Sequence, residues 1–256
     1  AATGAAHDAL LVLSVHPRSA GRQLRAFGSG PPAVCALLRR ELRLLAGQLR
    51  QADIEARAPL DLPQLARAVR TTYEPAARRE GGMRGDVDAW PAAWKDGWSC
   101  ARVDGRWQAT YWIAEWPRRE IGPDFLLPLL LTSVPRVVSV TMAPVPARAA
   151  VREAETARTA ELADEELRRR AGFLSTARHR RRAEGVAHRE AELADGHGEL
   201  RFAGYVGVSG RTPEELEDAT AAVEAAAQQC GLELRRLYGR QEEALSWTLP
   251  IGRGLG

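Results

Sequence analysis

The side chains that could do chemistry are five histidines, three cysteines and scattered carboxylates. The histidines form no HxxxH or HxH pattern and the cysteines form no CxxC pair, so no ligand set has the spacing of a zinc site. The motifs GxSxG, HExxH and GxxxxGK[ST] are also absent from the sequence. The sequence therefore predicts no catalytic, cofactor-binding or metal-binding residue, and we expect a protein that is not an enzyme.

Two glycine-containing stretches have a partial likeness to site motifs. Gly28-Ser29-Gly30 has the GxG pattern of a phosphate-binding turn, but it lies well after the nearest predicted strand. Asp195-Gly196-His197-Gly198 could contribute a site residue, although a turn that joins a helix to a strand explains its glycines better. We interpret both stretches as connections.

The composition is that of a globular protein with 45% hydrophobic and 27% charged residues. Its net charge is +3, and Lys95 is its only lysine. The longest apolar run, Phe125 to Leu131, contains Pro128 and is too short to span a bilayer, and the N-terminus lacks the pattern of a signal peptide. Because the chain begins with Ala1, we expect it to be part of a longer protein. The odd number of cysteines favours a reducing compartment.

Two groups of residues are candidates for binding a partner. Trp90, Trp94 and Trp98 lie in a Gly- and Pro-punctuated connection, where the indoles could cover a sheet or form a partner surface. The stretch 178–182 is the most basic in the chain and supplies Arg178, Arg180, Arg181 and Arg182. It is either a solvated helix face or a contact for an acidic protein, lipid or nucleic acid.

The elements that must position these residues begin with one strand–helix–strand–helix series. An unbroken apolar run predicts a buried strand at Ala9–Val15, and a loop is expected over His16–Pro32. Apolar residues at helical spacing predict a helix from Pro32 to about Ala52. Alternation then predicts a half-buried strand at Asp53–Ala58, and Leu62-Pro63 opens a short helix that reaches Val69.

The central series repeats this order. Asp104-Gly105 between two strand-like runs predicts a β-hairpin whose second strand is Arg106–Trp116. A short helix is expected to begin near Asp124, and a strand at Arg136–Met142.

Residues 147–194 are rich in Ala, Glu and Arg and predict two long helices that are broken near Gly172. The last series begins with a strand over Glu199–Ser209. Thr212 is the predicted N-cap of a helix through about Gln229, and Gly231 is its predicted C-cap. A strand over Leu232–Tyr238 and a short helix over Gln241–Trp247 follow.

Three strand–helix–strand series predict an α+β fold of repeated split βαβ, ferredoxin-like units, with a mainly antiparallel sheet and an inserted αα-hairpin. We divide the chain into a core domain over residues 1–146, a helical hairpin over 147–196 and a third βαβ unit over 197–256.

Several stretches resemble a family of actinobacterial membrane proteins encoded with conjugation-like or secretion genes. The first are Tyr111–Pro117 and Val138–Pro146, the second is Ala157–Phe173, and the third is Leu232–Gly239 with Leu249–Leu255. This resemblance covers most of Leu65 to Leu255.

Up to about Val145 the chain also resembles the soluble domain of EccE, a membrane component of type VII secretion, through its first strand–helix–strand series and its Tyr-Trp…Trp-Pro strand. The third unit and its Leu-Pro-hydrophobic-Gly ending resemble the N-terminal domain of conjugative transfer ATPases. No P-loop motor follows that unit in this chain.

These resemblances imply transmembrane helices outside the chain and a cytoplasmic domain that acts as a scaffold in an envelope-spanning machine. The implied partners are other secretion or conjugation subunits, a P-loop ATPase among them, and no catalytic residue or cofactor is carried over. The alternative is a nucleic-acid-binding module of a DNA-transfer apparatus. Homo-oligomerisation stays open.

Overall fold

The computed structural model describes residues 7–15, 17–78, 90–170 and 176–255. Its helices are α1 Pro17–Ala26, α2 Gly30–Gln51, α3 Leu62–Tyr73, α4 Leu127–Leu130, α5 Ala147–Arg170, α6 Ala177–Ala194, α7 Pro213–Gln229 and α8 Gln241–Thr248. Its strands are β1 Trp94–Lys95, β2 Ala101–Val103, β3 Arg106–Glu115, β4 Arg136–Pro144, β5 Leu200–Gly210 and β6 Glu233–Arg236.

Strand β3 is the centre of the sheet, whose order is β1-β2-β3-β5-β4, with β6 also paired to β3. One edge of β3 pairs antiparallel with β5, from Trp107 opposite Gly210 to Trp112 opposite Tyr205. Two short strands share the other edge: β2 lies beside the first residues of β3 and β6 beside its last, both antiparallel. Strand β3 therefore organises the pairing of most of the sheet.

Two strand–helix–strand series interleave in this sheet. The series β5–α7–β6 places its two strands on either side of β3, and β3–α4–β4 places its two strands on either side of β5. Both are split βαβ units. The described residues thus form an α+β structure with a mainly antiparallel open sheet, which confirms the fold class predicted from the sequence.

Helices cover both faces of the sheet. On one face, side chains of β3 and β5 such as Tyr111, Ile113 and Val208 pack against the apolar stripe of α7. On the other face, α3 and α8 close a smaller cluster that includes Val69 and Leu245. Alternate residues of β3 supply the first cluster, whereas the strand residues of the second cluster, Ala101 and Val103, come from β2.

The local signals that start these elements are visible in the chain. Asp61 caps α3 with a full capping box, in which its side chain accepts from the Gln64 N–H and the Gln64 side chain accepts from the Asp61 N–H. Thr212 accepts from the Glu215 N–H at the start of α7. The β2–β3 turn has φ of 46° at Asp104 and 82° at Gly105, which is why an Asp-Gly pair is needed there.

The side chain of Gln241 fills the gap between β2 and β6 along β3. Its Oε1 accepts from the Thr110 N–H at 2.8 Å, and its Nε2 donates to the Leu237 carbonyl at 2.9 Å. Gln241 is only 1% exposed. One side-chain amide thereby joins the backbone of β3 to the residue that follows β6.

The first predicted series is wrong in its strands. Ala9–Val15 and Asp53–Ala58 contain no strand, and both segments are largely exposed because no neighbouring strand pairs with them in the described chain. The loop predicted over His16–Pro32 instead contains α1, since Pro17 occupies a first helical position that suits proline. The predicted helices over Pro32–Ala52 and from Leu62 are confirmed.

The chain divides into two compact bodies. The sheet body comprises Ala1–Ser139 and Gly204–Gly254, and the hairpin body comprises Val140–Ala203 with the last two residues. In the hairpin body α5 and α6 pack along one another, which confirms the predicted αα-hairpin. Its predicted break near Gly172 lies outside the described residues. The domain boundaries predicted at residues 146 and 196 stay predictions.

Candidate docking surfaces

The three candidate tryptophans occupy different environments in the sheet body. Trp90 is 49% exposed and Trp98 is 75% exposed, whereas Trp94 begins β1 and is half-buried against the cluster around Val69. The described residues between them contain no helix, so the spacing of four does not place the indoles on one helical face. The middle of this connection, residues 79–89, lies outside the described residues.

Trp98 forms an exposed aromatic pair with Tyr238, which follows β6 and is 54% exposed. The two ring centroids are 6.2 Å apart with an interplanar angle of 31°. The Gly239 N–H donates to the Trp98 carbonyl at 2.7 Å, and a Cβ at Gly239 would lie 3.0 Å from the indole. A glycine with φ of 70° therefore allows the backbone to approach the ring closely and fixes the pair in place.

A cleft of about 430 Å³ adjoins this aromatic pair. It lies between the second half of α7 and the side chains of β6, and Tyr238 lines it together with residues of both elements. The other lining residues are Tyr111 of β3, Glu224 and Gln228 of α7, Leu232, and Glu233, Leu234 and Arg236 of β6. The aromatic pair and this cleft form one continuous surface, which we call the aromatic surface.

Two buried groups organise the cleft. The Tyr111 hydroxyl donates to Glu224 Oε1 at 2.8 Å. The pKa of Tyr111 is raised mainly by burial and also by this hydrogen bond. The Arg236 guanidinium lies 5.9 Å from the centroid of the Tyr111 ring, pairs with Glu217 at 3.0 Å and donates from Nε to the Ser99 carbonyl at 2.7 Å. The cleft walls are therefore held by specific contacts.

The basic stretch lies at the start of α6 in the hairpin body. Arg182 pairs with Glu161 of α5 at 3.2 Å, and the Arg181 and Arg180 side chains are exposed. The Arg178 side chain lies outside the described part of the structure. Part of this stretch therefore holds the two helices together.

The sequence did not point to the residues of the cleft. Tyr111 belongs to a strand rich in aromatic residues and Glu224 to an acidic helix, and they are far apart in the chain. Only the split βαβ order brings β6 and α7 beside β3. Tyr238, four residues beyond the strand residue Leu234, was part of a predicted strand, and nothing in its local pattern marked it as a partner of Trp98.

The described residues contain no group of three or more His, Cys, Asp and Glu side chains that could hold a metal ion. Within the same residues, no helix combines the length and the apolar character needed to cross a membrane.

Taken with the fold, these features define an α+β protein with an exposed aromatic surface. Residues 3–113 match the family model described as "Putative type VII ESX secretion system translocon, EccE". The match covers less than half of the chain, ends within β3, and relates the chain to EccE over that region, as the sequence predicted. It points to a component of a type VII secretion system.

No curated protein matches the chain. The resemblance to conjugative ATPases stays a prediction.

Proposed function

We propose that this chain is a non-enzymatic docking subunit of a membrane-anchored actinobacterial secretion or conjugative-transfer machine, placed at the cytoplasmic face of the membrane. Its partners are other subunits of that machine, foremost a P-loop ATPase. The observation that carries the proposal is the similarity of residues 3–113 to the EccE family. Membrane anchoring is assigned to segments outside this chain.

The aromatic surface is the main proposed contact. Binding energy at protein interfaces concentrates in a few residues, and Trp, Tyr and Arg are the types most enriched among them. Trp98 and Tyr238 expose two large rings on a rigid backbone, so little conformational entropy is lost when a partner covers them. Trp90 lies exposed in the same connection and extends the proposed contact, and Trp94 supports it from the half-buried side.

The basic stretch is the second proposed contact. Arg178, Arg180, Arg181 and Arg182 lie on the first turns of α6, next to the end of the hairpin. A basic surface of this kind mainly raises the association rate and sets the orientation of the partner. We assign it to an acidic region of a neighbouring subunit.

Co-purification tests the docking function. The full chain, tagged in its host, is expected to recover the ATPase encoded by the adjacent gene, and Trp98→Ala with Tyr238→Ala is expected to reduce that recovery at least about tenfold, because each aromatic anchor contributes about 1–2 kcal/mol. Leu131→Ala is the matched control, since it removes another exposed apolar side chain of the sheet body. Equal recovery with the aromatic variant would remove the aromatic surface from the proposal, and no recovery with any chain would refute the docking function.

A nucleic-acid-binding role is the second candidate, favoured only by the exposed arginines of α6. It predicts that Arg180→Glu with Arg181→Glu abolishes a mobility shift of duplex DNA and that the affinity falls steeply between 50 and 200 mM salt, about 10³-fold or more for six phosphate contacts. The absence of a shift with the unaltered chain at low salt would eliminate this role.

A further inference from the structure

The cleft of the aromatic surface has an uneven charge distribution. Helix α7 contains Glu214, Glu215, Glu217, Asp218 and Glu224 and has no basic residue. Glu215 is paired with Arg211, and Glu217 is paired with Arg236. Within the described chain, no basic side chain lies within ion-pair distance of Glu224. Of the acidic residues of α7, only Glu224 lines the cleft, and in the described chain it forms no ion pair.

Glu224 is also held in place. The Tyr111 hydroxyl binds its Oε1, and Tyr111 is itself fixed in the core cluster of β3 and α7. A carboxylate that is oriented by a buried donor and exposed on its other side is a pre-organised acceptor for a charged donor. Such an acceptor loses less entropy on binding than a carboxylate on a free side chain.

The rest of the cleft fits the side chain of a basic residue. Leu234 and the ring of Tyr238 give an apolar wall for a methylene chain, as long basic side chains prefer. The exposed Tyr238 ring offers a face for a cation. Glu233 pairs with Arg235 at 2.9 Å, and Arg236, which also lines the cleft, pairs with Glu217 at 3.0 Å. Glu224 is therefore the charged lining residue that forms no ion pair in the described chain and is free to bind a cation.

The strand that borders the cleft also has a free edge. In the described chain β6 pairs only with β3. The Leu237 N–H donates to the Thr110 carbonyl of β3. Because successive residues of a strand direct their N–H and C=O groups to opposite edges, those of Leu234, three residues earlier, point away from β3, at the mouth of the cleft. An extended segment can add to such an edge by main-chain hydrogen bonds and place alternate side chains in an adjoining cleft.

We propose that the cleft between α7 and β6 binds an arginine or lysine side chain carried by an extended segment of a partner protein. Charge complementarity with Glu224 selects the basic side chain, and the edge of β6 selects the extended backbone. The inference rests on the docking function proposed above and specifies the chemistry of the partner at one site.

Two peptides, acetyl-SVRVRVS-amide and acetyl-SVQVQVS-amide, test the inference on the isotopically labelled full chain, with binding followed by the amide chemical shifts of the protein. The arginine peptide is expected to shift amides of β6 and of the second half of α7, and to bind about tenfold more tightly than the glutamine peptide, since one charge-assisted hydrogen bond contributes about 1.5 kcal/mol. Glu224→Gln is expected to remove that difference. Glu165→Gln, an exposed carboxylate of the hairpin body, is the matched control and should change nothing.

Equal binding of both peptides, or an arginine preference that survives Glu224→Gln, would overturn the inference. Shifts of the same amides on raising the protein concentration without peptide would also overturn it, because the occupant would then be a second copy of the chain. Tyr111→Phe keeps the ring and frees the carboxylate, and is expected to weaken the arginine peptide about threefold; unchanged affinity would exclude pre-organisation of Glu224. Failure of the peptides while the ATPase is still recovered would remove this inference alone and leave the docking function standing.

Discussion

Replacing Gln241 by leucine probes the side-chain bridge between β3 and the end of β6. Leucine has a similar size but can neither accept from the Thr110 N–H nor donate to the Leu237 carbonyl. In that variant the Leu237 carbonyl still accepts from the Arg240 N–H at 3.3 Å, whereas the N–H of Thr110, a fully buried residue, is left without an acceptor. A buried group without its hydrogen bond costs about 1–3 kcal/mol, and we expect the free energy of unfolding of the sheet body to fall by that amount.

Tryptophan fluorescence measures this loss selectively, because all seven tryptophans lie in the sheet body. With a urea dependence of about 2–3 kcal/mol per M, the unfolding midpoint of Gln241→Leu should lie about 0.5–1 M below that of the unaltered chain. Gln48→Leu, on an exposed position of α2, is the control and should shift the midpoint by less than about 0.2 M. A shift of Gln241→Leu no larger than that of the control would refute the account of the bridge.

Two further results are expected from the same fluorescence assay. A Cβ at Gly210 would lie 2.5 Å from the Leu216 backbone nitrogen, whereas one at Gly207 would meet only the Thr248 side chain at 3.3 Å. Gly210→Ala should therefore lower the free energy of unfolding by more than about 3 kcal/mol, and Gly207→Ala by less than about 1 kcal/mol. Similar losses for the two variants would contradict the packing of α7 on β5. Burial raises the pKa of Tyr73 from 10.0 to about 12, so the stability that this group contributes is complete below pH 10 and is lost as the pH rises through 12. The free energy of unfolding should fall over that window by up to about 3 kcal/mol from this group, and by less in Tyr73→Phe. Parallel pH profiles for the two chains would show that Tyr73 does not titrate in this way.

The sequence predicted elements whose signals are local. The Thr212 cap, the Asp104-Gly105 turn and the Ala- and Glu-rich helices act within a few residues of chain, and the structure contains all of them. The split βαβ order was also accessible, because strand–helix–strand series with short connections leave few topologies to choose from.

Local signals could not show whether the two segments predicted as early strands would form strands. Ala9–Val15 has an apolar run and Asp53–Ala58 has alternation, but a strand forms only where another strand supplies its hydrogen bonds. That condition depends on distant residues, and in the described chain β3 takes its neighbours from β2, β5 and β6 instead.

The aromatic surface was predicted only in part. Exposed aromatic residues in an irregular connection indicated a contact surface at Trp98, but its partner Tyr238 and the cleft beside it come from the end of the chain. Nothing in the sequence marked Gln241 as a bridge, since a glutamine is common at the start of a short helix. Its role depends on a gap between two strands that only the folded chain creates.

The pairing of β3 also sets an order of events during synthesis. The ribosome adds about 5–20 residues per second, so β3 emerges on the order of 5–20 seconds before β5, and β6 follows later still. Until then the apolar side chains of β3 have only the short β2 hairpin beside them. A fragment that ends at residue 113, where the family match ends, leaves the central strand without its main neighbour and is therefore expected to aggregate.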